Sequence, residues 1–260
     1  MKLLALLLAG TVASAQTQAV HPSPNEQPAV ISIEKEIALR KSVVAEYERR
    51  QTFSHESELI EYVAGIARKF SPSVVVRVID SRNVLAAALP GEHVYVSTGL
   101  LARADNEAEF AGVLAHEIAH TRTRPLEARR GSGIVMLWLE ASGGLCGRFG
   151  NGLPLGAIDS FRERERHADR SAFTMLRDAN YEPTELLSFF SKLRFEEPTI
   201  SRVMNAEDLT AERGPLEGLE PPQGGYLLST SEFEAAQRRV LARRANTALA
   251  KKPSLFKRQP

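Results

Sequence analysis

The sequence predicts an α+β fold, mostly helical, with a small three-stranded sheet. Three observations predict it. Strand-like runs crowd between Val74 and Ser97, and segments of helical period lie on both sides of them. The segment after the third run carries His116-Glu117-Ile118-Ala119-His120, an HExxH pattern inside a helix-forming stretch. A length of 260 residues, with 43% hydrophobic and 25% charged residues, fits one soluble globular domain with extensions. A formal charge of +1 gives no electrostatic basis for a nucleic-acid partner.

Residues 1–15 read as a signal peptide: Lys2, an apolar run from Leu3 to Ala9, and Ala13-Ser14-Ala15 as the cleavage site. That run is too short to span a bilayer. The mature chain is therefore expected to be exported, periplasmic or secreted, with no transmembrane segment. Residues 16–30, with Pro22, Pro24 and Pro28, read as a flexible leader. The folded domain is expected over 31–248.

Ile31–Arg50 and Ser57–Phe70 read as helices, the second with Leu59, Tyr62, Val63 and Ile66 at helical spacing. Val74–Asp80, Val84–Leu89 and His93–Ser97 read as strands, with a turn at Pro90-Gly91. The helix carrying HExxH follows. Gly131–Asp159 is apolar and glycine-rich, and it reads either as a flap beside a cleft or as a short core helix with a loop. Cys146, the only cysteine, has no internal disulfide partner. Ser160–Asn180 is expected to be a helix opened by a Ser160/Glu163 capping box. A further helix runs from Pro183 to about Arg194, a proline-rich loop from Phe195 to Gly225, and a last helix from Ser231 to about Ala248. Residues 249–260 read as a basic disordered tail.

The HExxH helix is legible without its motif. Asn106 and Glu109 form a capping box. Phe110, Val113, Leu114 and Ile118 make an apolar stripe, while Ala111, Gly112, Ala115 and Ala119 make a face of small residues open to close approach. With 3.6 residues per turn, His116 and His120 stand one turn apart on one face, as two imidazole ligands for one zinc ion per chain. Glu117, one step round, is placed to reach a water at that ion. A hydrolytic zinc site takes a third protein ligand. The downstream third histidine of HExxHxxGxxH is absent here, so that ligand comes from another element. The best source is the segment Phe161–Asp169, where Glu165 and Asp169 share a helix face. Arg162, Glu163, Arg164 and Arg166 read as its exposed, salt-bridged side.

From about Glu34 to Leu241 the chain resembles the M48 family of zinc metallopeptidases. Asn83-Val84-Leu85-Ala86 with Leu89-Pro90-Gly91 resembles the family's NAFALPGG, and HVYVSTGLL its strand and turn before the active-site helix. HEIAH followed by Arg124, then RERERHADR, then MLRDANYEPTELLSFFSKL match in the same order. The resemblance implies a zincin-like fold, with Glu165 as the third ligand, Asp169 orienting a ligand imidazole, and Glu117 as the general base. His167, two positions from Glu165, points away from that face. Two departures stand out. Pro125 replaces a usual histidine, and Leu228-Ser229-Thr230-Ser231-Glu232 lacks the histidine of the family's THP. The donor for the oxyanion is therefore open among Tyr226, His93, Arg238 and Arg239. Strand His93–Ser97 is expected to pair with an extended substrate. The expected function is zinc-dependent endopeptidase action on protein or peptide substrates among exported or envelope proteins. The alternative is a latent or non-hydrolytic zinc protein with a chaperone-like or interaction role.

Overall fold

In a computed structural model of the chain, the described residues are 33–89, 91–122, 155–196 and 225–250. They form helices α1 (Ile33–Arg49) and α2 (Ser57–Phe70), strands β1 (Val75–Ile79), β2 (Ala86–Leu89) and β3 (His93–Ser97), then helices α3 (Thr98–Arg103), α4 (Glu107–Arg122), α5 (Leu155–Asp178), α6 (Glu185–Glu196) and α7 (Ser231–Ala250). The signal peptide, the leader, Arg124, Pro125, Cys146, residues 131–154, 197–224 and 251–260 lie outside the described residues. Among the described residues, no helix is long and apolar enough to cross a membrane.

The sheet order is β1-β3-β2. β3 runs parallel to β1 and antiparallel to β2, with Val75 opposite His93 and Ala88 opposite Val94. Gly91 (φ 87°) and Glu92 (φ 59°) both adopt the left-handed conformation, which lets β2 turn tightly into β3. Both edges of β3 are already paired, so the expected addition of a substrate strand to His93–Ser97 is corrected: on that side the outer strand is β2.

Alternation of side chains places two cores on the two faces of the sheet. Val78, Ala86, Val94 and Val96 pack into the main core with Phe110, Val113, Leu114 and Ile118 of α4. Ile79, Ala87, Leu89 and Tyr95 pack on the other face against Val43 and Tyr47 of α1. The HExxH helix thus lies between the sheet on one side and α5 and α6 on the other.

Helix α3 was not expected. Ser97 starts it by accepting the Leu100 N–H at 3.0 Å, while its hydroxyl donates to the Asn83 carbonyl at 2.7 Å. At Gly99 a Cβ would sit 2.0 Å from that same carbonyl oxygen, so only glycine fits. At α4, Asn106 Oδ1 accepts the Glu109 N–H at 2.8 Å as a cap should. The return bond differs from the expected box, because Glu109 accepts the N–H of Asp105 at 2.7 Å. The small face of α4 does admit a close neighbour: a Cβ on Gly112 would lie 3.0 Å from Leu186 Cβ on α6.

Three expected boundaries are corrected. Helix α5 begins at Leu155, which puts Ser160 and Glu163 inside it rather than at its cap. Helix α6 reaches Glu196, two residues into the expected loop, and Pro183 precedes it in a turn. Helix α7 continues to Ala250, so the first residues of the expected tail are helical.

Candidate metal centre

Helix α4 carries His116 and His120 one turn apart, and their Nε2 atoms face each other at 3.0 Å. Helix α5, packed along α4, brings the Glu165 carboxylate to 3.4 Å from His116 Nε2 and 3.5 Å from His120 Nε2. One ligand atom from each of the three residues falls within 4.8 Å of the others. Tetrahedral zinc with bonds of ~2.0–2.2 Å spaces its ligand atoms by roughly 3.3–3.5 Å. Two imidazoles and one carboxylate at these separations therefore fit zinc and leave a fourth position for water or substrate.

On the far side of the His116 ring, Nδ1 lies 2.9 Å from Asp169 Oδ1. That carboxylate, one helical turn beyond Glu165, is buried. An N–H donated from Nδ1 leaves the lone pair on Nε2, the tautomer a metal needs. Phe190 of α6 meets the same ring edge-on, with centroids 5.4 Å apart. Sequence reasoning missed Phe190; its only signal is the Phe-Phe pair in the helix after α5.

The electrostatics favour a cation. Burial alone would push His116 below its ordinary pKa, but the Asp169 and Glu165 carboxylates outweigh it and hold the imidazole well above. Burial pushes Glu165 up, yet His120 and His116 keep it well below the usual carboxylate range. Two carboxylates that hold a proton on His116 this strongly make a place that a divalent cation can occupy instead. Glu117 behaves differently. It is buried, and burial pushes its carboxyl above the ordinary range against the pull of His120 and His116. A hydrogen bond from the backbone of Ala88 on β2 also restrains that rise. Burial raises the Tyr47 phenol of α1 to about 12, and the Glu117 charge adds to it.

Two of the other expected site residues, Arg238 and Arg239, have their carboxylate partners outside this cluster. Arg238 pairs with Glu234 at 3.3 Å along the exposed side of α7, and Arg239 pairs with Glu58 of α2. Tyr226 lies in the segment before α7, which docks on the first turn of α4 through the Ala108 N–H and the Leu228 carbonyl at 2.9 Å. Ser231, where the resemblance expects a histidine, is the first residue of α7, and its hydroxyl donates to Glu232 at 3.1 Å. His93 opens β3 opposite Leu89, the neighbour of Ala88, and its buried Nδ1 has no hydrogen-bond partner among the described residues. His167 makes no ligand contact in the cluster, as its place on α5 implies.

A helix donating two histidines, a second helix donating a glutamate and a buried acid beside them define a metallopeptidase type of site. Residues 50–210 match the family model described as peptidase family M48, and the chain belongs to that family. It is 26% identical over 229 residues to the beta-barrel assembly-enhancing protease of Yersinia pestis, covering 76% of this chain and 47% of that protein. It is 26% identical over 189 residues to the putative beta-barrel assembly-enhancing protease of Vibrio cholerae, covering 64% of this chain and 39% of that protein. Its identity to the corresponding Escherichia coli K12 protease is 27% over 131 residues, or 44% of this chain and 27% of that one. The chain thus spans less than half the length of the curated relatives it matches.

Proposed function

We propose that this chain is a zinc-dependent endopeptidase with a zincin-like fold, acting on exported or envelope proteins. The carrying observation is the meeting of His116, His120 and Glu165 within 4.8 Å of one another, with Glu117 buried beside them. His116, His120 and Glu165 would hold the ion, and Asp169 would fix the His116 ring. Zinc, when bound, lowers the pKa of its water towards ~7 and polarises the scissile carbonyl.

Glu117 takes a proton from the attacking water and returns it to the leaving nitrogen, a role worth about 10² to 10⁴ in rate. Its burial raises its proton affinity towards that of a base that must also act as an acid. In the ladder with β3, the Ser97 N–H bonds the Leu85 carbonyl, so Leu85, Ala87 and Leu89 are the bonded positions. Ala86 and Ala88 then turn their backbone groups to the outer edge of β2. An extended substrate pairing there would lie alongside Glu117. The names of the relatives suggest the assembly of β-barrel proteins as a setting. The export expectation rests on the signal-like residues 1–15.

The test uses mature protein with zinc counted by elemental analysis and reduced casein as substrate. One zinc per chain and chelator-sensitive cleavage are expected. Glu117→Gln, nearly isosteric and not a ligand, should keep zinc and lose at least ~10² in rate. Zinc binding with no Glu117-dependent cleavage would instead leave the non-hydrolytic zinc protein as the account.

A further inference from the structure

Arg122 closes α4 two positions after His120, about 200° further round a helix of 3.6 residues per turn. It therefore leaves the helix on the side away from the metal ligands. There it borders a cavity of about 360 Å³, at the lower end of the ~300–1,000 Å³ range of ligand sites. Lys69 and Phe70, the last residues of α2, form one wall. Ser171, Thr174, Met175 and Asp178, at helical spacing on α5, form another.

The charges around the cavity do not cancel. Asp178 is held by its neighbour Arg177 at 2.6 Å, and Arg68, beside Lys69, is held by Glu61. Lys69 donates to the Tyr181 hydroxyl at 2.7 Å and stands over that ring. The same hydroxyl donates to the buried Glu107 at 2.5 Å, so the Lys69 charge has a counter-charge behind the phenol. Arg122 has no such acid. Its Nη2 donates to the Phe70 carbonyl at 2.8 Å, a neutral acceptor, and among the described residues it pairs with no carboxylate. Once every pair is counted, one guanidinium charge is left over at the cavity.

Donors are left over as well. The bonds above use one N–H of the Lys69 ammonium and one of the Arg122 guanidinium, and both groups carry more. The Thr174 hydroxyl gives its proton to the Arg170 carbonyl at 3.0 Å. The Ser171 hydroxyl makes no hydrogen bond among the described residues and keeps its proton. Beside these groups, Phe70 and Met175 are buried and give the cavity an apolar side. Its volume matches that of about a dozen waters at ~30 Å³ each, more than a bare ion fills.

We propose that this cavity binds the C-terminal carboxylate of a peptide chain whose last residue is apolar. A single carboxylate matches the single unpaired charge, where a phosphate dianion would exceed it. The Arg122 fork and the Lys69 ammonium hold its oxygens, with the Ser171 hydroxyl as a neutral donor. Phe70 and Met175 cover the apolar side chain, which a bare inorganic ion does not have. Converging donors are one of the recurring ways in which a chain end is captured. Binding here needs no cleavage, so the site does not depend on the endopeptidase reading of the metal centre.

The probe is a fluorescein-labelled glycine–serine peptide ending in phenylalanine, bound to the full chain in the Glu117→Gln background and read by anisotropy. The free acid should bind, and the same peptide with an amidated end should bind at least ~10-fold more weakly. Arg122→Gln and Lys69→Gln each keep a side-chain N–H for the Phe70 carbonyl or the Tyr181 hydroxyl and remove the charge. Each should weaken the free acid by at least ~10-fold and leave the zinc content as in the parent. Arg68→Gln removes an equal charge outside the cavity and should bind as the parent does. If one of the two cavity variants does not fold, the other carries the test. Equal binding of acid and amide overturns the proposal, as does unchanged binding in the cavity variants. An amidated peptide with a glutamate before its phenylalanine that binds as well as the free acid overturns the assignment to a chain end. Inorganic phosphate that displaces the peptide at equal concentration overturns it too, since the apolar side would then contribute nothing.

Discussion

His116 and Asp169, on separate helices, are joined Nδ1 to Oδ1 at 2.9 Å with both side chains buried. The contact fixes the imidazole plane from behind and turns its Nε2 towards His120 and Glu165. Asp169→Asn keeps the shape and removes the charge that strengthens the imidazole as a donor. Zinc affinity should fall by about 10- to 100-fold, measured by competition with a chromogenic chelator. An Asp169→Asn protein with parental affinity would place this carboxylate outside the metal centre.

Glu165 lies on α5, yet its carboxylate is within 3.5 Å of both histidine Nε2 atoms. Removing it leaves two imidazoles and an incomplete coordination set. Glu165→Ala should therefore bind less than one zinc per chain at concentrations that saturate the parent, with its helix content by circular dichroism unchanged. Full occupancy in that variant would assign the third ligand to another residue.

The parts of this molecule that were legible in the sequence are those decided locally. The β-branched run at Val75–Ile79, the capping asparagine at 106, and the four-residue spacings His116/His120 and Glu165/Asp169 each depend only on chain geometry. What was not legible depends on distant partners. Helix α3 exists because Ser97 bonds both Asn83 and Leu100. The central position of β3 follows from a parallel pairing with β1 that no short-range signal encodes. Arg238 and Arg239 lie near the site in the family pattern, but their actual partners, Glu234 and Glu58, decide where they point. Tyr62 reads in sequence as one more member of an apolar stripe, and only packing shows its hydroxyl beside Glu107.

Gly112 is held to glycine by α6. An added Cβ would stand 3.0 Å from Leu186 Cβ and 3.1 Å from its Cα, and backbone cannot swing aside. Helix propensity alone would favour alanine by about 1 kcal/mol, but overpacking a buried interface outweighs that. Gly112→Ala should lose a net ~1–2 kcal/mol in denaturant unfolding. At Gly65, inside α2, a Cβ would meet none of the described residues within 4 Å, so Gly65→Ala should go the other way and gain up to ~1 kcal/mol. The same sign at both positions would refute the contrast drawn between them.

Lys192 of α6 and Glu109 of α4 join the two helices near the start of α4. The Lys192 ammonium lies 2.5 Å from Glu109 and 2.7 Å from Asp105. The Glu109 side chain is 2% exposed and that of Lys192 23%, so the pair is only partly screened. Burial raises the Glu109 pKa above its ordinary value, and Lys192 and the Asp105 backbone restrain the rise. Lys192→Met keeps the stem and removes the charge, leaving a buried carboxylate short of a partner at a cost of about 1–3 kcal/mol at neutral pH. Without Lys192 the folded-state pKa of Glu109 climbs further from its unfolded value. A carboxyl raised in this way weakens the fold as pH climbs through the folded pKa, and costs nothing below the unfolded pKa, where both states are protonated. The gap in melting temperature between Lys192→Met and the parent should therefore be widest at neutral pH and narrow as pH falls through the raised Glu109 value. A gap that stays constant from neutral to acid pH would mean that the ammonium acts through its cation–π contact with Phe189, 5.5 Å from the ring centroid, and not through Glu109.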